Sequence, residues 1–266
     1  MSQNLHALSH HSSPITHHPL MSIRIVLVEP QHPGNIGAVA RAMKNMGLRE
    51  LHLVRPAQFP HPEAIARASG ADDVLETAEV HQEFESAIAQ CGLVVGTSAR
   101  KRHLPWELHE PRECSAQIVQ ASRAGGAAVV FGAERTGLTN TELQRCNLLL
   151  TIPTDAQYSS LNLAMAVQVV TYELWLAMRP GAPPPPEREV PLASAEEMAR
   201  LYEHLEQVLE LIDFKDRTGG GHLMNRIRRL FNRAQLDQNE MNILRGILTA
   251  VQGRRRPAAN RAEQNG

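Results

Sequence analysis

With 266 residues, 42% hydrophobic and only 4% aromatic, the chain is long enough to bury one large aliphatic core and a small second one. Three cysteines without a Cys-x-x-Cys spacing exclude a disulfide framework and a cysteine zinc site, and fit a reducing compartment, which points to the cytoplasm. No stretch reaches the roughly 18 apolar residues of a membrane span, and a net charge of −1 gives by itself no hint of nucleic acid.

Residues 1–21 are polar and carry five of the thirteen histidines (His6, His10, His11, His17, His18). They lack the apolar centre of a secretory signal and read as a disordered leader, with Met21 as an alternative start. The β-branched run Ile23–Val28 is a strand closed by Glu29-Pro30. A helix follows, with Gly34 or Asn35 as N-cap and Gly47 as C-cap, made thin by Gly37, Ala38 and Ala40 so that it can pack closely. Leu51–Val54 and Leu93–Thr97 are two further strands. The strand Ala127–Phe131 breaks into the loop Gly132–Gly137, after which Thr139-x-x-Glu142 is a capping box that starts a helix. The same design recurs at once: strand residues from Leu148 to Pro153, a loop through Tyr158, and Ser159-Ser160-Leu161-Asn162 opening a helix to Met178. Strands alternating with helices read as an open α/β sheet, whose ligands bind at the carboxyl ends of the strands.

Helix 162–178 is apolar nearly all round and must be covered on several sides, either by a second subunit or by complete burial within one chain. Pro180–Pro186 is a semi-rigid linker. Beyond it, Ser194-x-x-Glu197 caps a helix to about Leu211, and residues 222–233 and 237–252 read as two more, the last ending before Gly253. The predicted organisation is therefore a leader (1–21), an α/β domain (22–179), a linker (180–186), a small α-helical domain (187–253) and a disordered tail (254–266). Residues 187–213 carry eight acids and two bases, residues 215–256 ten bases and three acids. That asymmetry points either to a polyanionic partner or to a basic face that answers the acidic helix before it.

Asn35-x-Gly-x-x-x-Arg41, Phe131-Gly-Ala-Glu134-x-x-Gly137-Leu, and Ile152-Pro153 with Ser160-Leu-Asn162 resemble, in order and in context, the three motifs of the TrmH-like branch of the SPOUT methyltransferases. The resemblance covers residues 22–178. It implies a parallel sheet whose C-terminal part forms a deep trefoil knot, a homodimer, and S-adenosyl-L-methionine as cofactor. The double serine, Thr97–Arg100 and the helical extension look most like branch members that methylate the ribose 2′-OH of nucleotide 32 in the tRNA anticodon loop. By this resemblance Arg41, Asn35, Ser160 and Glu134 serve catalysis, Glu134 by fixing Arg41 or a motif loop. Thr97, Ser98, Ala99, Gly132, Ile152, Ser159, Ser160, Leu161 and Asn162 hold the cofactor. Arg41 is expected by the same resemblance to meet RNA. Lys101 and Arg102, just after the third-strand loop, either grip the RNA backbone or are simply solvated, and the charge asymmetry makes Arg226, Arg228, Arg229 and Arg233 of the basic C-terminal segment candidates for phosphate contact, with no metal or membrane expected. Ribosomal RNA is the alternative substrate of the same branch, and a non-catalytic RNA-binding module the alternative of another class. A dinucleotide-binding dehydrogenase is excluded, because Pro33–Gly37 is not Gly-x-Gly-x-x-Gly and no acid ends the second strand.

Overall fold

The structure, a computed structural model, describes residues 22–99, 107–179, 181, 189–214 and 222–255. Seven strands, β1 (Ile23–Val28), β2 (Glu50–Val54), β3 (Glu79–His81), β4 (Leu93–Thr97), β5 (Leu108–His109), β6 (Ala127–Phe131) and β7 (Leu148–Leu150), form one parallel sheet in the order β3-β2-β1-β6-β4-β7-β5. Neighbouring side chains of a strand point to opposite faces, so the central runs feed two cores. Ile25, Leu27, Val129 and Phe131 face one, and Val26, Val28, Ala128 and Val130 the other. Burial on both faces is why these strands read as unbroken apolar runs rather than alternating ones.

The first face is covered by α1 (Pro33–Asn45), α2 (Pro62–Ala68), α3 (Asp72–Glu76), α5 (Pro111–Ala124) and α7 (Leu163–Met178), the second by α4 (Phe84–Ile88) and α6 (Asn140–Leu143). The expected thinness of α1 has a specific use: a Cβ on Gly37 would stand 1.9 Å from the Ala64 carbonyl oxygen, so α1 and α2 cross backbone to backbone there. The N-cap of α1 is His32, not Gly34 or Asn35, because Pro33 takes the first helical position, where its missing N–H costs nothing. The C-cap is Met46, not Gly47, which stands one residue beyond it and turns the chain in the left-handed region (φ +72°). The Thr139 capping box forms with both its bonds, but the helix it starts is a single turn.

Elements the sequence pattern does not announce are β3, β5, α2, α3, α4 and α5. The first five have seven residues or fewer, too few for a period to show. The N-terminus of α5 is marked by Glu110-Pro111 rather than Ser or Thr, with the Glu113 carboxylate accepting from the Glu110 N–H at 2.9 Å.

Of three C-terminal helices, α8 (Ala195–Leu211), α9 (His222–Ala234) and α10 (Gln238–Arg255), the first and last supply a core of Met198, Leu201, Tyr202 and Met241, against which the partly buried Met224 and Phe231 of α9 pack. Ser194 caps α8 as its motif requires. Helix α10 continues through Gly253 to Arg255 rather than stopping before it. The three helices are docked on the sheet domain. Leu192 is buried in the first core, the Ala195 and Glu196 N–H groups donate to the carbonyls of Cys91 and Ala89, and the Asn232 amide donates to the Gln144 carbonyl at 2.8 Å. Asn232 Oδ1 accepts from Tyr202 Oη at 2.5 Å. The leader, most of the proline-rich linker and the tail from 256 lie outside the described residues.

Candidate active site

The carboxyl ends of β4, β6 and β7 open into a cavity of about 220 Å³. Its walls are Thr97 at the end of β4 with Ser98 and Ala99 beyond it, the loop Gly132–Leu138 after β6, and Ile152 with Ser159, Ser160 and Leu161 after β7. Eight of the nine residues expected to hold a cofactor line it, although they come from three separate stretches of chain. Asn162 does not. It is the N-cap of α7, its Oδ1 accepting from the Ala164 N–H at 2.9 Å. Thr97 Oγ1 donates to the Val130 carbonyl (2.9 Å) and the Ser98 N–H to that of Leu150 (2.9 Å), so β4 is tied at this end to both neighbours. Gly132 has to be glycine: a Cβ would lie 2.2 Å from the backbone of Gly137 and Leu138, where the loop closes on itself. That closure includes a Gly137 N–H donation to the Ala133 carbonyl at 2.8 Å.

Three motifs meet beside this cavity in a chain of hydrogen bonds. The Glu134 carboxylate accepts from the backbone N–H groups of Gln31 (3.0 Å) and His32 (3.3 Å) and from Asn35 Nδ2 (2.9 Å). Asn35 Oδ1 in turn accepts from Asn162 Nδ2 at 3.0 Å. A carboxylate only accepts and a backbone N–H only donates, so Glu134 at one end and Ala164 at the other settle the orientation of both amides between them. Burial would raise the Glu134 pKa, but the Asn35 amide and the Gln31 and His32 amides outweigh it and hold it below the ordinary 4.5. Glu134 therefore fixes the loop between β1 and α1, the second of its two expected roles. It makes no bond to Arg41.

Arg41 stands exposed on α1, outside the cavity wall, with no hydrogen bond or ion pair among the described residues. Lys101 and Arg102 lie outside the described residues. Of the C-terminal arginines, Arg228 is engaged with the acidic helix: it is 3.8 Å from Glu206 and its guanidinium lies 5.8 Å from the Tyr202 ring centroid. Arg226 and Arg233 are exposed, Arg229 is half-buried, and all three are unpaired among the described residues. Reasoning from the sequence missed Arg135 and Thr136, which line the cavity from the same loop as Glu134, and the two backbone donors at Gln31 and His32. Backbone donors leave no trace in residue type.

The exposed side of α7 carries Met165 (62% exposed), Val169, Tyr172 and Trp175, spaced as one helical stripe. Its other side, Leu163, Val167, Val170 and Leu174, is buried against the sheet. Among the described residues this helix is thus not completely buried within one chain. The three cysteines are buried, which pushes the Cys91 thiol up to about 11 and those of Cys114 and Cys146 to about 12, so none is reactive near neutral pH. Among the described residues no helix is long and apolar enough to cross a membrane.

Comparison with known proteins agrees with this geometry over both parts of the chain. The SpoU rRNA Methylase family matches residues 22–172, and the family described as tRNA methyltransferase TrmJ, C-terminal domain, matches residues 196–264. A curated tRNA (cytidine/uridine/adenosine-2'-O-)-methyltransferase TrmJ from Pseudomonas aeruginosa is 51% identical over 86% of this chain and 93% of its own. A tRNA (cytidine/uridine-2'-O-)-methyltransferase TrmJ from Sodalis glossinidius is 49% identical over 90% and 94%. The crystal structure of TrmJ from Z. mobilis superposes with a TM-score of 0.75 at 33% identity, covering 86% of this chain and 98% of that one. The chain belongs to the SpoU rRNA methylase family of methyltransferases, and within it to the TrmJ group that carries the additional C-terminal domain.

Proposed function

We propose that the protein transfers a methyl group from S-adenosyl-L-methionine to a ribose 2′-OH of tRNA, at nucleotide 32 of the anticodon loop. The observation that carries this reading is the convergence of three motifs, through Glu134, Asn35 and Asn162, on the edge of one cavity at the strand ends. The group's curated members, tRNA 2'-O-methyltransferases by name, supply the substrate class. The lining fits a nucleoside-like cofactor: Leu150, Ile152 and Leu161 offer apolar surface for a base, while Thr97, Ser98, Ser159 and Ser160 offer hydroxyls.

S-adenosyl-L-methionine brings an already activated methyl on its sulfonium, so the protein's share is alignment and charge management. Gly132, Ile152, Ser159, Ser160 and Leu161 hold the cofactor, with Thr97, Ser98 and Ala99 closing the other wall. Arg41, a guanidinium that stays protonated, binds the ribose–phosphate and stabilises the alkoxide developing on O2′ rather than taking its proton, which leaves to solvent water. Asn35 and Ser160 orient that arrangement, with Asn35 held from both sides. We assign the catalytic half to a trefoil knot, on the support of a sheet order in which β7 enters between β4 and β5 after β6 has crossed to the far side of β4. The exposed apolar stripe of α7 supports a homodimer, and the tRNA substrate a cytoplasmic site of action. Lys101, Arg102, Arg226, Arg229 and Arg233 meet the RNA backbone.

Methyl-labelled S-adenosyl-L-methionine and tRNA transcripts test the reading. Label is expected in tRNA carrying a ribose at nucleotide 32 and not in a transcript with 2′-deoxyribose there. Label confined to ribosomal RNA would overturn it.

A further inference from the structure

A cluster at the β3 edge of the sheet takes no part in this chemistry. His52, in the middle of β2, is 3% exposed, and Glu79, opposite it in register, and His81 stand on β3. His52 Nδ1 is 2.9 Å from His81 Nε2, and Glu79 Oε2 is 3.8 and 3.7 Å from those two atoms. A circle through three points so spaced has a radius of about 2.0 Å, the length of a zinc–imidazole or zinc–carboxylate bond. The three atoms thus lie at bond length from one point, and the two rings, 5.1 Å between centroids and 18° between planes with their nitrogens facing each other, turn on binding so that both lone pairs meet the ion.

The surroundings are those of ligands. The hydroxyl of Ser86, on α4, donates to the Glu83 carbonyl (2.8 Å), so towards His81 Nδ1, 3.0 Å away, it can only accept. His81 therefore carries its proton on Nδ1 and has the Nε2 lone pair available, the outer hydrogen bond that metal-binding histidines use. Arg24, the cation facing the cluster from β1, has Glu50 at 3.9 Å, which leaves Glu79 as the charge not offset. Glu79 is two-thirds exposed and keeps the centre open to solvent.

We propose that His52, Glu79 and His81 form a binding site for a late first-row divalent ion, zinc fitting best, with water completing the coordination. Two imidazoles and one carboxylate do not suit magnesium or calcium, which take oxygen ligands. On binding, the hydrogen bond between the two rings is replaced by two metal–nitrogen bonds, and the His52 proton moves from Nδ1 to Nε2 of the same ring. The ion fastens the edge strand β3 to β2 and, through Ser86, to α4.

Cobalt(II) and zinc titrations of the metal-stripped full-length protein test the site. The leader holds five histidines of its own, so the reading is the difference between wild type and His81→Ala or Glu79→Gln. Wild type is expected to take one more equivalent of cobalt with strong ligand-field absorption, displaced by zinc. Zinc, but not magnesium, is expected to raise its unfolding midpoint. His81→Ala should lose both effects, and Ser86→Ala should weaken cobalt binding about 10-fold. Glu79→Gln alters only an exposed group, so it decides the matter should His81→Ala fail to fold, and it too should lose the extra equivalent. Equal cobalt stoichiometry and equal zinc-dependent midpoints in wild type and Glu79→Gln would overturn the proposal.

Discussion

Glu134 makes three accepted bonds to one stretch, residues 31–35, about a hundred residues away, and the two asparagines of the other motifs continue that network. A glutamine there has one acceptor oxygen and presents an NH₂ to donors, so Glu134→Gln is expected to destabilise the protein by about 1–2 kcal/mol at pH 7. The wild-type pKa is lowered on folding. The network's contribution is therefore complete above the unfolded value of 4.5 and is lost as pH falls through the lower folded value. Urea unfolding of both proteins at pH 7 and in acid should show their difference shrinking on acidification. Arg41, exposed and outside the cavity wall, has the opposite character: it makes no hydrogen bond or ion pair among the described residues. Arg41→Ala is expected to lower methyl transfer by about 10²–10³-fold while leaving calorimetric binding of S-adenosyl-L-methionine unchanged. A variant within twofold of wild type would remove Arg41 from the mechanism.

The elements that build the site are positioned by close backbone contacts more than by polar bonds. Helix α1 carries Asn35 and Arg41 and lies on α2 at Gly37 without room for a methyl group. Gly37→Ala must push the two helices apart against backbone, with an expected cost of about 3 kcal/mol, to be read as a lower denaturant midpoint. The glycine was legible in the sequence as the mark of a thin helix. Its partner, Ala64, was not, because α2 is seven residues long and shows no period. The N-caps divide in the same way. Thr139 and Ser194 form the capping boxes that their spacing announces, whereas at α1 the proline two residues before Asn35 took precedence over two residues with better capping preferences.

Across the whole molecule the C-terminal helices are fixed to the sheet domain through Leu192, Ala195 and Asn232 rather than trailing from it. An RNA held by α9 is thereby held in a defined place relative to the cavity. Arg226, Arg229 and Arg233 changed together to alanine are expected to weaken tRNA binding and to lower the slope of log affinity against log salt by roughly 0.7–0.9 for each phosphate no longer neutralised. Unchanged slopes would mean that the basic helix only answers the acidic one, as Arg228 does with Glu206. The stripe Met165, Val169, Tyr172 and Trp175 predicts that Val169→Asp, a charge placed at the centre of the exposed apolar face, yields a monomer by sedimentation with the fold retained.

The sequence by itself determined the elements long or apolar enough to impose their own period, and its three motifs, through their resemblance to a known family, pointed to the parallel sheet and the residues of the cavity. Only the tertiary structure decided which of them touch. Asn162 left the cavity for Asn35, Glu134 bound backbone rather than Arg41, Arg228 turned to Glu206, and His52, Glu79 and His81 came together across two strands. Each of these depends on strand order and register or on how helices dock, that is, on the meeting of segments tens of residues apart, and local propensity carries no record of them.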